Sequence, residues 1–260
     1  MASLRTLYSG SSGNCTVIYD KDTVILVDMG KSCRRTIKAL SEAGINVADI
    51  SAILITHEHS DHIAGLNTFL KYYPKLLYGS PDTLMYLKDN ELIPECDTVD
   101  IYPNELINIK DISFKAFRTS HDSVDCYGYR FYFENGRSCS IVTDLGFVNE
   151  ELIDIMSSSS VVALESNYDR TMLYDGIYPI YLKHRIDSNY GHLSNEMCAK
   201  TMVALAEGGT EKFMLMHLSL ENNDSNTALT NCMGLLEDYG FDSCEVHVAP
   251  RDELSVVLEI

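Results

Sequence analysis

The sequence predicts an α/β protein of four layers, an αββα sandwich with two β-sheets face to face and helices on both outer faces. Three observations point there. Strand signals followed by helix signals occur in the first half of the chain and again in the second, the order expected when two half-covered sheets close on one another. Several apolar runs end in a polar, chemistry-bearing residue, as happens where strand ends of an α/β sheet gather a site. No internal repeat, linker or low-complexity block interrupts the 260 residues, of which 45% are hydrophobic. Residues 1–260 are therefore read as one domain with a full core.

Residues 4–8, 14–19 and 23–28 read as short strands. Gly10-Ser11-Ser12-Gly13-Asn14 links the first two, and Asp20-Lys21-Asp22 is a hairpin turn. Ser32 caps a helix that runs to Ala43 and stops at Gly44. Residues 52–55 form a buried strand. The spacing of Ile63, Ala64, Leu66 and Phe69 marks a helix over 63–73, ended by Pro74. A strand over 75–78 precedes a helix over 82–88 opened by Pro81. Residues 105–109, 112–118 and 126–133 are strands, and Glu134-Asn135-Gly136 turns the last into a strand over 138–143. A helix over 149–156 and a buried strand over 161–164 follow. Residues 167–191 show only a weak, Tyr-rich pattern and read as a long loop with room for one helix. Ser194 caps a helix over 195–207, ended by Gly208-Gly209. A strand over 212–216, a helix over 224–239 stopped by Gly240, and strands over 245–249 and 254–258 complete the chain.

The formal charge is −18. Such a surface repels phosphate backbones, so any nucleic acid must be gripped locally, at a positive site. No run approaches a transmembrane length, and the N-terminus lacks the apolar stretch of a signal peptide. Eight cysteines are scattered without a Cys-x-x-Cys pair. Reduced thiols and a cytoplasmic location are the expectation.

The chemistry concentrates in Thr56-His57-Glu58-His59-Ser60-Asp61-His62, directly behind an apolar strand. Crowded imidazoles and a carboxylate must find a partner or lose solvation, and a metal or a pair of metals suits them. His121, His192 and His217 stand at later strand ends or in loops, and Asp144 and Glu165 each end a strand. Two divalent-metal spheres can be filled from this set. His57, His59 and His121 would hold one ion, Asp61, His62 and His217 the other, and Asp144 would bridge them. Side chains alternate along an extended segment, so His57 and His59 point to the same side. Histidine and aspartate donors suit Zn, Mn or Fe.

His57-x-His59-x-Asp61-His62 with later His121, Asp144 and His217 resembles the metallo-β-lactamase fold, over nearly the whole chain. Asp28 matches that superfamily's first motif, which the resemblance makes a structural support beside the site. Within the superfamily, Glu165 and His192-Leu193-Ser194 followed by His217-Leu218-Ser219 are similar to phosphodiesterases such as the tRNA 3′-processing endonucleases. The long insertion those enzymes use to grip tRNA is missing. Leu7-Tyr8-Ser9-Gly10-Ser11-Ser12-Gly13-Asn14, Glu165-Ser166-Asn167-Tyr168-Asp169, Gly191-His192-Leu193-Ser194-Asn195 and His217-Leu218-Ser219-x-Glu221-Asn222-Asn223 resemble the YycJ/WalJ-type group of small bacterial proteins. That resemblance implies a DNA exonuclease acting from the 5′ end, associated with mismatch repair and a cell-wall two-component regulon.

On this reading a metal-bridged hydroxide attacks phosphorus in line, with Asp61 orienting it. His192 donates the proton the leaving oxygen needs, and Glu165 holds the other ring nitrogen. Ser11, Ser12 and Asn14 would offer hydroxyls and N–H groups to an anion, a plain strand connection being the alternative. Ser219 and Asn222, with Asn223, would bind a terminal phosphate, helix capping beside Asp224 being the alternative. Lys183-His184-Arg185 lies shortly before His192 and would meet phosphate if it faced the site, although a surface run is the default. The Tyr-rich stretch could stack bases or fill core. His247 reads as structural, Glu58 as pointing away from its neighbours, and Arg34, Arg35 and Lys38 as a solvated helix face. The alternative function is a small-molecule hydrolase of the same fold, acting on a thioester or a cyclic phosphodiester. It is favoured if Glu165 and His192 lie far from the other ligands.

Overall fold

The computed structural model describes residues 1–260. Strands β1 (Ser3–Tyr8), β2 (Cys15–Asp20) and β3 (Thr23–Val27) form an antiparallel meander. To it β4 (Ile50–Leu54), β5 (Leu77–Gly79) and β6 (Thr98–Asp100) add in parallel. Helices α1 (Cys33–Glu42), α2 (Ser60–Ile63), α3 (Leu66–Tyr72) and α4 (Pro81–Asp89) lie between these strands in the chain. The second sheet holds β7 (Ile107–Ile109), β8 (Ile112–Arg118), β9 (Tyr127–Phe133), β10 (Ser138–Val142), β11 (Val161–Glu165), β12 (Lys212–Met216) and β13 (Glu245–Val248). It is antiparallel from β7 to β10 and parallel from β10 to β13. Its helices are α5 (Glu150–Met156), α6 (Arg170–Asp175), α7 (Ile180–Ile186), α8 (Asn195–Glu207) and α9 (Ser225–Asp238). The last strand, β14 (Leu258–Glu259), returns to pair with β1, giving two seven-stranded sheets.

Alternation along the strands sorts the apolar residues into three buried layers. In β3, Ile25 and Val27 face the second sheet, where they join Phe114, Tyr129, Phe131, Ile141 and Met214. Val24 and Leu26 face the other way, onto Leu40, Phe69 and Leu84 of the helices. In the second sheet, Val162, Leu164, Phe213 and Leu215 pack outward against Met202, Leu205 and Cys232. Strands buried on both faces need apolar residues at every position, which is why these runs are continuous in the sequence. All eight cysteines are free thiols, and no helix is long and apolar enough to cross a membrane.

Two expectations are corrected. Residues 167–191 hold two helices, α6 and α7, joined as a hairpin. Each is too short for an amphipathic period to register, and the exposed Ile177 between them and Ile180 and Tyr181 at the start of α7 blur what period there is. The hairpin is firmly tied. Asp187 accepts from the Tyr168 and Tyr174 hydroxyls (2.6 and 2.7 Å) and from Arg170. The buried Lys183 donates to the carbonyls of Tyr174 and Gly176 (2.6 and 2.7 Å). The strand expected over 254–258 shrinks to Leu258–Glu259. The Ser255 hydroxyl takes the Thr6 N–H at 3.0 Å, so a side chain stands where the ladder would continue.

Candidate metal centre

Register brings the polar strand ends together. Parallel pairing of Val27 with Leu54 sets Asp28 beside the start of the histidine turn. Pairing of Val142 with Leu164, and of Glu165 with Met216, sets Asp144, Glu165 and His217 at one end of the second sheet. Asp28, Asp144 and His217 all have left-handed backbones, with φ of 63°, 57° and 56°. That conformation costs on the order of 1 kcal/mol or more per residue and gathers at functional sites. Hydrogen bonds hold it here: the Asp28 N–H donates to the Leu54 carbonyl (2.9 Å) and the His217 N–H to the Ser9 hydroxyl (2.8 Å). Gly30 makes the close packing around Asp61 feasible. A Cβ there would stand 1.6 Å from the Asp61 carbonyl oxygen, whereas hydrogen now lets the Asn14 N–H reach that oxygen at 2.7 Å.

The ligand atoms of His57, His59 and His121 lie within 4.8 Å of one another, as do those of Asp61, His62 and His217. Asp144 spans the two groups. Its Oδ2 is 3.1 Å from His62 Nε2, and its Oδ1 is 3.1 Å from His217 Nδ1 and 3.8 Å from His121 Nε2. The other ring nitrogens are held from behind. His62 Nδ1 donates to Asp28 Oδ2 (2.7 Å), and His121 Nδ1 to the Gly191 carbonyl (3.0 Å). Both rings therefore turn Nε2 inward, the tautomer a ligating histidine needs. Thr56 fixes Asp28 in turn, donating its N–H (2.8 Å) and its hydroxyl (2.9 Å) to the carboxylate.

Glu165 is fully buried. Its Oε1 accepts from His192 Nδ1 (2.8 Å) and His217 Nδ1 (3.0 Å), and its Oε2 from the N–H groups of Leu145 (3.0 Å) and Leu193 (3.2 Å). Four donors fill its acceptor sites, so it positions the two rings and has none left for a cation. His192 stands on the wall of the cavity that the cluster opens into, its ring 5.1 Å from that of His121 between centroids.

Burial drives the His57 pKa well below the ordinary histidine value, helped by the charge of His62, and burial also lowers His121. His62 and His217 go the other way: burial opposes their charge, but Asp144 and its neighbouring carboxylates outweigh it. Against the same burial, His217 and His62 hold Asp144 well below the usual carboxylate range. The centre therefore offers neutral imidazoles on one side and ionised carboxylates on the other. His57 Nε2, Asp144 Oδ2 and His217 Nε2 are buried and have no hydrogen-bond partner in the protein. Orphaned buried polar atoms are costly, and divalent cations held by the two groups, with Asp144 between them, are the partners that would satisfy all three.

The metal-ligand candidates named from the sequence thus converge, with Glu165, His192 and the supporting Asp28 beside them. The substrate-contact expectations divide. Ser11 and Ser219 line the cavity. Asn14 and Asn222 do not: both are buried. The Asn14 side chain accepts from Gly10 N–H (2.8 Å) and lies 3.1 Å from His62 Nε2, while Asn222 packs against Ser219. Ser12 turns outward to Lys31 (2.8 Å). Glu58 accepts from the Val124 N–H, His184 is exposed, and His247 pairs with Glu245 at 2.7 Å away from the centre. Sequence reasoning missed Thr56 as the hub behind the ligands. It also missed Tyr178, Leu182 and Ile186 as cavity wall, since a segment read as loop gives no signal of which face it presents.

Residues 23–218 match the family model described as "Beta-lactamase superfamily domain". The chain belongs to the beta-lactamase superfamily. Among its relatives are the exodeoxyribonuclease YycJ of Bacillus anthracis, 34% identical over 247 residues, which cover 93% of this chain and 92% of that protein. The exodeoxyribonuclease WalJ of Streptococcus pneumoniae is 36% identical over 220 residues, covering 84% and 81%. The solved structure of Zn²⁺-bound PqqB from Methylobacterium extorquens superposes with a TM-score of 0.78 at 16% identity, over 99% of this chain and all of that one; at that identity the likeness concerns the fold. This superfamily member is a hydrolase by family, and its clustered His and Asp residues are those of a divalent-metal site.

Proposed function

We propose that the chain is a dinuclear-metal phosphodiesterase, a cytoplasmic DNA exonuclease that acts from the 5′ end. The observation that carries this reading is the 2.8 Å bond between Glu165 and His192 Nδ1, set directly beside the two ligand groups. A thioesterase chemistry has no use for a proton donor so placed, whereas a phosphodiester expels an alkoxide that needs one. Relatives named exodeoxyribonuclease, aligned over most of the chain, support the choice of DNA.

His57, His59 and His121 would hold one ion and Asp61, His62 and His217 the second, with Asp144 shared; Zn, Mn or Fe suits these donors. When bound, such ions polarise phosphoryl oxygens and make water nucleophilic at neutral pH. The remaining work falls to the chain. Asp61 orients the attacking water through the carboxylate oxygen that faces His62 and His217 (3.6 and 3.5 Å). His192 gives a proton from Nε2 to the leaving oxygen, and Glu165 keeps the ring aimed through Nδ1. Ser11 and Ser219 on the cavity wall offer hydroxyls to the bound phosphate. The charge of −18 confines nucleic-acid contact to this region.

The test is digestion by the metal-loaded protein of 5′-phosphorylated duplex DNA, single-stranded DNA, RNA, bis(p-nitrophenyl) phosphate and a thioester. Nucleotide release from the 5′ end of DNA is expected. Thioester turnover with no phosphodiester cleavage would overturn the proposal.

A further inference from the structure

The centre opens into a cavity of about 230 Å³, below the roughly 300–1,000 Å³ of sites that enclose a whole small molecule. Within its walls it takes part of one nucleotide. One wall is α7 and the turn before it, which supply Tyr178, Leu182 and Ile186. On the same wall stands Arg185, the one Lys or Arg side chain that lines the cavity. In a chain of net charge −18, this guanidinium is the one Lys or Arg cation the cavity offers a phosphate.

Arg185 is held ready. Its Nε and one terminal nitrogen donate to the two oxygens of Asp122 (2.6 and 2.9 Å). Asp122 is itself pinned by its N–H to the Tyr190 carbonyl (3.0 Å). A guanidinium carries five N–H donors in a planar fork. Asp122 takes one edge, and the rest stay open on a side chain that is about half exposed (49%). Helix α7 is itself anchored to the centre. The Ile186 carbonyl accepts the His192 N–H (2.9 Å), and Gly191 turns so tightly beneath the helix that a Cβ there would stand 2.2 Å from the carbonyl oxygens of Arg185 and Ile186. The wall and the histidines form one unit. Asp122 Oδ1 lies 3.4 Å from His121 Nε2, so one carboxylate separates Arg185 from the ligand atoms. It therefore stands beside the phosphate being cut and not over it.

Resting on the nuclease reading, we infer that Arg185 is a specificity-determining residue: it holds the phosphate adjoining the scissile one, while Tyr178, Leu182 and Ile186 cradle the sugar or base of a single strand. A base-paired end is too broad for this cavity, so the strand being cut leaves its partner before it enters. The preset fork lowers the ordering cost of binding, and its free edge adds a guanidinium contact on the cavity wall that the acidic surface elsewhere does not offer.

The experiment measures binding to the metal-loaded chain of a fluorescein-labelled, 5′-phosphorylated phosphorothioate DNA single strand, and of the same sequence as a blunt duplex, across a salt series. Wild type binds the single strand more tightly than the duplex. Arg185→Ala weakens single-strand binding about tenfold or more and reduces the slope of log K against log salt by about 0.7, one phosphate contact on a single strand. Arg185→Lys restores the slope without the full affinity, because the charge returns but the fork does not; a folding defect would show no such split. Wild-type affinity and slope in Arg185→Ala, duplex binding as tight as single-strand binding, or no binding by wild type would each overturn the inference. Arg185-dependent binding by a chain that cuts no phosphodiester would leave the inference standing and overturn the nuclease proposal instead.

Discussion

Replacing Glu165 by glutamine keeps the side-chain volume and exchanges one acceptor oxygen for a donor. The four bonds that Glu165 accepts leave that exchange no harmless orientation. If the new NH2 faces Leu145 and Leu193, two buried backbone N–H groups now at 3.0 and 3.2 Å lose their acceptor. If it faces His192 and His217, both rings must move their proton from Nδ1 to Nε2 to accept from it. His217 would then present a proton where it should present a lone pair to a cation. A buried donor left unsatisfied costs about 1–3 kcal/mol, so the backbone-facing orientation costs about 3 kcal/mol or somewhat more for its two orphaned donors. In a chain of this size that lowers Tm by about 6–12 °C. Loss of an outer-sphere partner also reduces metal affinity or turnover about 10- to 100-fold. Differential scanning calorimetry of the metal-loaded variant, with phosphodiester turnover on the same preparation, reads both. A Glu165→Gln protein with wild-type Tm and turnover would refute the claim that this carboxylate organises the two rings.

Stripping the protein with a chelator is expected to lower Tm, because an ion at a hundred times its Kd stabilises by about 2.7 kcal/mol; calorimetry with and without chelator checks this, and an unchanged Tm would mean the orphaned ligand atoms hold nothing. The hairpin of α6 and α7 should depend on Asp187, whose pKa is pressed upward by burial but brought net below the ordinary 3.8 by the Tyr168, Tyr174 and Arg170 bonds. A depressed folded-state pKa gives stability that is present above pH 3.8 and lost as the pH falls through the lower folded value. The Tm difference between wild type and Asp187→Asn should therefore be clear at pH 6 and shrink below pH 3.8, and a difference that persists in acid would contradict it.

The candidate ligand residues could be picked out in the sequence because the chemistry that would use them is local. A metal asks for histidine and aspartate at strand ends, and His57 to His62 places four such groups in one turn. The groups behind them were legible only in part. Asp28 could be named through a motif, but Thr56 could not, because its role depends on partners 28 residues back and six residues on. Asn14 and Asn222 look in sequence like amides free to meet a ligand, and burial instead turns them to internal hydrogen bonds. For Lys183-His184-Arg185 the sequence offered a phosphate contact beside a plain surface run, and only the fold separates the three: Arg185 lines the cavity, Lys183 caps α6 and His184 meets solvent. Fold class was clear because doubly buried strands write continuous apolar runs. The short helices α6 and α7 were not, because their stability comes from Asp187, Lys183 and the Gly191 turn and not from an amphipathic face.

On the proposed mechanism His192, aimed by Glu165, serves the chemistry and not the metals. Turnover of 5′-phosphorylated DNA by His192→Ala, measured with the metal content of the same sample, tests it most directly. Metal content should equal wild type and turnover should fall by about 10²–10⁴-fold, the contribution of a positioned proton donor. Undiminished turnover, or a loss of activity that tracks a loss of bound metal, would contradict it.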